Sequence, residues 1–110
     1  MNSFIPWVGG KKALRDEILR RFPVFYERYI EVFGGGAWVL FHKLAGGDFE
    51  VYNDFNSLLV NLFRTVRDDP EGLKAQLRYV LNAREEFEYA RDVLRDGQTA
   101  TAVQKAAWFY

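Results

Sequence analysis

Three glycines at the end of an apolar run, with an aspartate eighteen residues beyond them, are the residues of this 110-residue chain best suited to chemistry. Glu31-Val32-Phe33-Gly34-Gly35-Gly36 reads as a strand that turns through glycines into a helix, and a second strand then leads to Asp54. A glycine turn at such a junction lets the backbone approach a ligand closely. An acidic side chain at the end of the next parallel strand can accept hydrogen bonds from the hydroxyls of a ribose. Taken singly, the residues have plainer readings: the glycines make a tight turn and Asp54 caps the helix that follows. Their combination at this spacing favours a nucleotide-like ligand.

The kind of ligand is narrowed by what the pattern lacks. A dinucleotide fingerprint calls for Gly or Ala three residues after Gly36, where this chain has Val39. An adenosyl group without a pyrophosphate needs the turn and the acidic ribose partner but not the full phosphate cradle, so it suits the sequence better. Gly9-Gly10-Lys11-Lys12 is no phosphate loop of the Walker type, because the upstream glycine is missing and Lys12 stands where Ser or Thr should follow the lysine. The chain has no cysteine and one histidine, His42, which removes disulfides, thiolate chemistry and a histidine-based metal cluster. His42 reads as a structural or surface residue, and Asn53 as a hydrogen bonder at a strand end.

The elements that must position these residues follow from periodicity. Pro6 and the Gly9-Gly10 pair make the opening a loop. Leu14, Ile18 and Leu19 then give residues 11–21 helical spacing, stopped by Pro23. The β-prone run at residues 28–33 predicts a strand, residues 37–44 a helix, and residues 49–53 a second strand. Leu58, Leu59, Leu62 and Phe63 place a helix over residues 57–67, and Pro70 stands at the start of another over residues 71–81. Asn82 with Glu85 has the form of a capping box for a helix that buries Phe87, Ala90, Val93 and Leu94 and stops at Gly97, and a last helix runs from Thr101.

Composition sets the bounds. With 49% hydrophobic and 17% aromatic residues, the chain has the means to build a core. A domain this small buries only about 60–70% of the surface its unfolded chain exposes, so a missing partner segment is costly. No apolar run approaches the roughly 18 residues that cross a bilayer, and no signal-type segment opens the chain, which points to a soluble, cytoplasmic protein with no membrane partner. The net charge of +0 removes the usual electrostatic case for nucleic acid. Residues 1–30 nevertheless carry six basic side chains against three acidic, a distribution compatible with phosphate contact or simply with a solvated helix face.

Three blocks together resemble the Dam-type DNA adenine (N6) methyltransferases. Pro6-Trp7-Val8-Gly9-Gly10-Lys11 is similar to that family's Trp-x-Gly-Gly-Lys opening. Glu31-Val32-Phe33-Gly34-Gly35-Gly36 is similar to its Glu-Pro-Phe-x-Gly-x-Gly cofactor motif, with Val32 where the family usually has proline. Tyr52-Asn53-Asp54-Phe55-Asn56 is similar to its x-Ala-Asp-x-Asn segment, and the blocks occur in the family's order within residues 4–63. The resemblance implies S-adenosylmethionine as cofactor, contacted by Trp7, Lys11 and Asp54, with Phe33, Gly34 and Gly36 forming the turn beneath it. Asp54 would take the ribose hydroxyls, Phe55 would lie against the adenine face, and Lys11 would meet the carboxylate of the methionine portion. Without these linked motifs Trp7 reads as a core aromatic and Lys11 as a lysine at a helix start.

The resemblance also implies an α/β fold: an incomplete, helix-dominated Rossmann-like methyltransferase sheet with two short parallel strands, residues 29–33 and 50–53, in a single domain over residues 1–110. The family's downstream Asp-Pro-Pro-Tyr tetrapeptide, which holds the flipped adenine, has no counterpart here, since Pro6, Pro23 and Pro70 are the three prolines and none are adjacent. The expectation is therefore an S-adenosylmethionine-binding portion without catalytic or metal-ligating residues, truncated before that motif and inactive alone. Its implied partners are double-stranded DNA in the full-length protein and the missing C-terminal catalytic portion. The exposed edge of so small a sheet predicts self-association. Two other functions stay open, a stand-alone adenosyl- or nucleotide-binding protein and a non-catalytic interaction module.

Overall fold

A computed structural model describes residues 1–97 and 99–110. They form two compact units, Met1–Phe55 and Asn56–Tyr110. The first is α/β and the second is all helical, giving the helix-dominated α/β class that the sequence implies.

In the first unit a 3₁₀ turn over Lys11–Ala13 leads into α1 (Arg15–Arg20), β1 (Arg28–Glu31), α2 (Trp38–His42) and β2 (Phe49–Tyr52). The strands pair in parallel with Arg28 opposite Phe49 and Glu31 opposite Tyr52. The β1–α2–β2 crossover therefore delivers both carboxyl ends to the same side, where a doubly wound sheet carries its ligand. Alternation sorts β1 into two faces, with Tyr29 and Glu31 turned inward and Arg28 and Ile30 outward. The inward face receives α2, whose Leu40 amide donates to Glu31 Oε2 at 3.2 Å. Ile5, Ala37 and Val39 are buried in this unit, and the Phe4 and Phe41 rings meet with centroids 5.8 Å apart.

Lys43 fastens the return from α2 to β2. Its ammonium sits 2.9 Å from Asp48 and 2.5 Å from Glu50, with the side chains of Lys43 and Asp48 only 2% and 4% exposed. Burial alone would lower the Lys43 pKa, but the hydrogen bonds that its ammonium donates to Glu50 and Asp48 outweigh it and the net shift is upward. The same contact with Lys43 holds Asp48 below its ordinary value.

Side-chain caps set several helix starts in the second unit. Asn56 Oδ1 accepts from the amides of Leu58 and Leu59 and starts α3 (Ser57–Asp68), which buries Leu59, Leu62 and Thr65. Asp69 accepts from Gly72 N at 2.9 Å at the head of α4 (Pro70–Leu77), with Pro70 in the first position, where a missing N–H costs nothing. α5 (Arg84–Asp96) ends at Gly97 in the left-handed region, φ +67°. α6 (Ala102–Phe109) packs on α3, α4 and α5 with Ala106 fully buried. The Tyr89 and Trp108 rings meet edge to face, with centroids 5.7 Å apart.

Several boundaries differ from expectation. β1 stops at Glu31, two residues before Phe33, because the backbone leaves the ladder to enter the glycine turn, and Val32 and Phe33 stand half to three-quarters exposed. β2 runs one residue earlier than the expected 50–53. The first helix divides into the 3₁₀ turn and α1 at Leu14. α4 stops at Leu77, and Tyr79, Val80 and Leu81 are exposed, since an apolar run without a face to cover does not extend a helix. The capping box at Asn82 and Glu85 does not form. The N-cap of α5 is Ala83, with no side-chain hydrogen bond, so Glu85 falls out of frame, and the reciprocal box belongs instead to Thr101 and Gln104. Phe87, expected in the buried face of α5, is 67% exposed.

Candidate functional site

The residues singled out by type and spacing converge where β1 and β2 end. After Glu31 the chain keeps contact with β2 through isolated hydrogen bonds: Gly34 N to Asn53 O at 2.9 Å, Asn53 N to Glu31 O at 2.9 Å, and Asn53 Nδ2 to Val32 O at 2.8 Å. Asn53 is thus the strand-end hydrogen bonder that the sequence suggests. The turn closes with Ala37 N donating to Gly34 O at 2.9 Å, and Ala37 itself adopts φ +53° as it enters α2.

Each glycine of the turn answers a different constraint. A Cβ on Gly34 would fall 2.1 Å from Tyr52 Cε2, in collision with the ring edge. Gly35 has φ +52°, a region that side chains disfavour, and a Cβ there would meet Trp7 Cδ1 at 2.8 Å. A Cβ on Gly36 would press on Trp38, Trp7 and Ser3 at 3.2–3.3 Å. Trp7 therefore stands against the turn, and its own carbonyl accepts from Gly10 N at 3.0 Å to shape the loop that carries Lys11.

Asp54 reaches back across the strand ends and accepts from Gly35 N at 2.8 Å through Oδ2. The cap of α3 is supplied by Asn56, so the plainer reading of Asp54 as the cap of that helix gives way to a carboxylate turned toward the glycine turn. Lys11 Nζ bridges Glu31 Oε1 at 3.4 Å and the Phe33 carbonyl. Phe33 contributes that carbonyl and is 76% exposed as a residue, and Phe55, directly after Asp54, is 99% exposed. Of the seven predicted site residues, Trp7, Lys11, Gly34, Gly36 and Asp54 gather about the turn, and the rings of Phe33 and Phe55 face solvent.

Three residues that stand inside the sequence motifs, but to which the sequence assigns no individual role, also take part. Gly35 is the residue whose amide binds Asp54. Glu31 is 5% exposed and accepts from Tyr29, Leu40 and Lys11, which compensates the cost of burying a carboxylate. Tyr52 donates its hydroxyl to Gly35 O at 2.8 Å. Burial, and then the charges of Asp54 and Glu31, push the Tyr52 phenol well above its ordinary pKa, and burial followed by Glu31 does the same to Tyr29. A charged residue in the middle of an apolar run was the available signal for Glu31. For Tyr52 it was the register that sets it opposite Glu31.

A glycine turn between parallel strand and helix, with an acidic residue closing on it from the next strand, is the arrangement of a Rossmann-like α/β fold. Within that class the comparison with known proteins is specific. Residues 7–110 match the D12 class N6 adenine-specific DNA methyltransferases, and the chain belongs to that family. It is 38% identical over 112 aligned residues to the type II methyltransferase M1.LlaDCHI of Lactococcus lactis subsp. cremoris, covering 97% of this chain and 38% of that protein. It is 31% identical over 94 residues to the type II methyltransferase M.MjaIII of Methanocaldococcus jannaschii, covering 79% of this chain and 32% of that protein. It is also 38% identical over 71 residues to the DNA adenine methylase of Haemophilus influenzae, covering 63% of this chain and 23% of that protein. The chain thus spans roughly a quarter to two fifths of the length of these relatives. Among the described residues no helix is long and apolar enough to cross a membrane.

Proposed function

We propose that this chain provides the S-adenosylmethionine site of a DNA adenine methyltransferase. The observation that carries the reading is the 2.8 Å hydrogen bond from Gly35 N to Asp54, which fixes a carboxylate at the carboxyl ends of two adjacent parallel strands. The donor set suits the cofactor. Asp54 offers acceptors for a ribose diol, Lys11 an ammonium for a carboxylate, and Phe55 an exposed aromatic face for adenine. When bound, the cofactor supplies a methyl group on a sulfonium sulfur, and the residues of this chain bind and orient it. The DNA substrate and the groups that hold the target adenine are assigned to sequence beyond the family's cofactor motifs.

Calorimetric titration with S-adenosylmethionine and S-adenosylhomocysteine tests the reading. Saturable heat that is lost in Asp54→Ala is the expected result. No heat with either ligand leaves a non-catalytic interaction module as the better description, a reading favoured by the apolar outer face of the sheet, where Ile30 and Phe49 are more than half exposed. A preference for NAD would overturn the weight placed on Val39. Methyl transfer needs the sulfonium and the adenine amine held in line, and such positioning accounts for roughly 7–11 kcal/mol of a barrier, so the 110-residue chain alone is expected to label no DNA.

A further inference from the structure

Tyr52, at the end of β2, has no task in the cofactor reading, yet it holds the same residue that Asp54 does. Gly35 donates its amide to Asp54 Oδ2 at 2.8 Å and gives its carbonyl to the Tyr52 hydroxyl at 2.8 Å. Glycine has the widest conformational freedom of any residue, and Gly35 sits at φ +52°. The peptide unit that carries the Gly35 amide is held through Gly34 O by Ala37 N at 2.9 Å, and the unit on the far side of the Gly35 α-carbon is held by the Tyr52 hydroxyl. Anchored on both sides, the amide keeps a single direction. Packing alone does not account for the phenol. The ring fills the space beside Gly34, and phenylalanine would fill it equally. The hydroxyl is the atom that reaches Gly35, and it bonds that carbonyl although two carboxylates, Asp54 and Glu31, lie near.

Resting on the cofactor reading above, we propose that Tyr52 is a positioning residue for Asp54: its hydroxyl locks Gly35, and the locked Gly35 amide presents the Asp54 carboxylate in one orientation to the ribose diol of an adenosyl ligand. The role is distinct from contact with the ligand, because Tyr52 acts through the backbone of the turn.

The test is Tyr52→Phe in the 110-residue chain, which keeps the ring and removes one oxygen. Two readings are taken: the affinity for S-adenosylhomocysteine by calorimetry, and the Gly35 amide resonance in glycine-labelled protein, identified as the one that moves in Asp54→Asn. The proposal expects the Gly35 resonance to move and its exchange with solvent to quicken. It also expects affinity to fall about fivefold, the worth of roughly one hydrogen bond. Unchanged affinity with an unmoved resonance overturns it. Lost affinity with an unmoved resonance overturns it too, since Tyr52 then acts elsewhere, and so does a moved resonance with unchanged affinity. Should the unsubstituted chain give no saturable heat, the cofactor reading has failed. The Gly35 resonance then decides the linkage by itself, movement in Tyr52→Phe upholding it and no movement overturning it.

Discussion

Gly34→Ala isolates the tightest contact of the site. The added Cβ would lie 2.1 Å from Tyr52 Cε2, 2.6 Å from Cδ2 and 2.9 Å from Cζ, so it collides with the edge of a ring whose hydroxyl is tied to Gly35. Overpacking of this kind costs about 1–3 kcal/mol. If the ring swings away, the hydrogen bond to Gly35 is lost as well, at about 1 kcal/mol. Gly34 is not among the glycines with positive φ, so alanine recovers about 0.4–1 kcal/mol from the unfolded chain. The net loss is about 2 kcal/mol, which lowers the melting temperature of a chain this size by about 10 °C. Thermal unfolding followed by tryptophan fluorescence reads it, since Trp7 lies beside the turn. The same substitution in a Tyr52→Ala background, where the ring is gone, is expected to cost less than about 0.5 kcal/mol, because coupled neighbours are non-additive. An equal loss in both backgrounds would refute the ring as the cause.

The remaining predictions concern the supports of the fold. Lys43→Met leaves Asp48 and Glu50 facing a buried site without their cation and is expected to destabilise by about 3 kcal/mol, measured by urea unfolding at neutral pH. Asp48 is held below its unfolded value by Lys43, so its contribution is present above about pH 4 and lost as pH falls through the lower folded value. Lys43 is shifted upward, so its contribution is present below its unfolded value near pH 10.5 and lost as pH rises through the folded one. Unfolding curves against pH should show both losses in the natural chain and neither in Lys43→Met. Thr101→Ala removes the hydrogen bond that Thr101 Oγ1 accepts from Gln104 N at 3.1 Å, leaving the backbone half of the box in place, and should lower stability by about 1 kcal/mol in the same assay. Sedimentation should show concentration-dependent association through the outer sheet face and unpaired strand edges, and Ile30→Lys should reduce it.

What could be read in advance was whatever depends on local chemistry. Gly34-Gly35-Gly36 after an apolar run marks a tight turn, and the helical spacing after it with Asp54 at the end of the next run makes that turn a strand-to-helix crossover. Pro70 and Gly97 mark a helix start and a helix end by their backbone restrictions alone. The parts that depend on alignment between elements were not legible. Thr101 and Asn82 present similar capping patterns, and only the frame in which each helix starts decides that one box closes and the other does not. Val32 and Phe33 have the β propensity of the strand before them, yet the backbone must leave the ladder there to make the turn, and tertiary demand overrides preference.

The same distinction explains why the sequence assigns a role to Asp54 but none individually to Gly35, Glu31 and Tyr52. Asp54 has a partner class that its spacing names, whereas each of the others acts on a residue that only the parallel register brings near. Register places Glu31 opposite Tyr52, and from that one pairing the two side chains diverge. Glu31 turns toward α2 and Lys11, taking the Leu40 amide and the lysine ammonium. Tyr52 turns toward the glycine turn, taking the Gly35 carbonyl. The turn is thereby held at both ends by groups from adjacent strands, and a shift of one residue in pairing would put the two side chains on opposite faces of the sheet. A site built this way is as accurate as the register beneath it, and that register rests on two four-residue strands. The buried Lys43 cluster follows from the same economy. With so few ladder bonds to fix the pairing, an ion pair at the entry to β2 supplies a directional constraint at one end of the strand, and the Asn53, Asp54 and Tyr52 contacts supply it at the other.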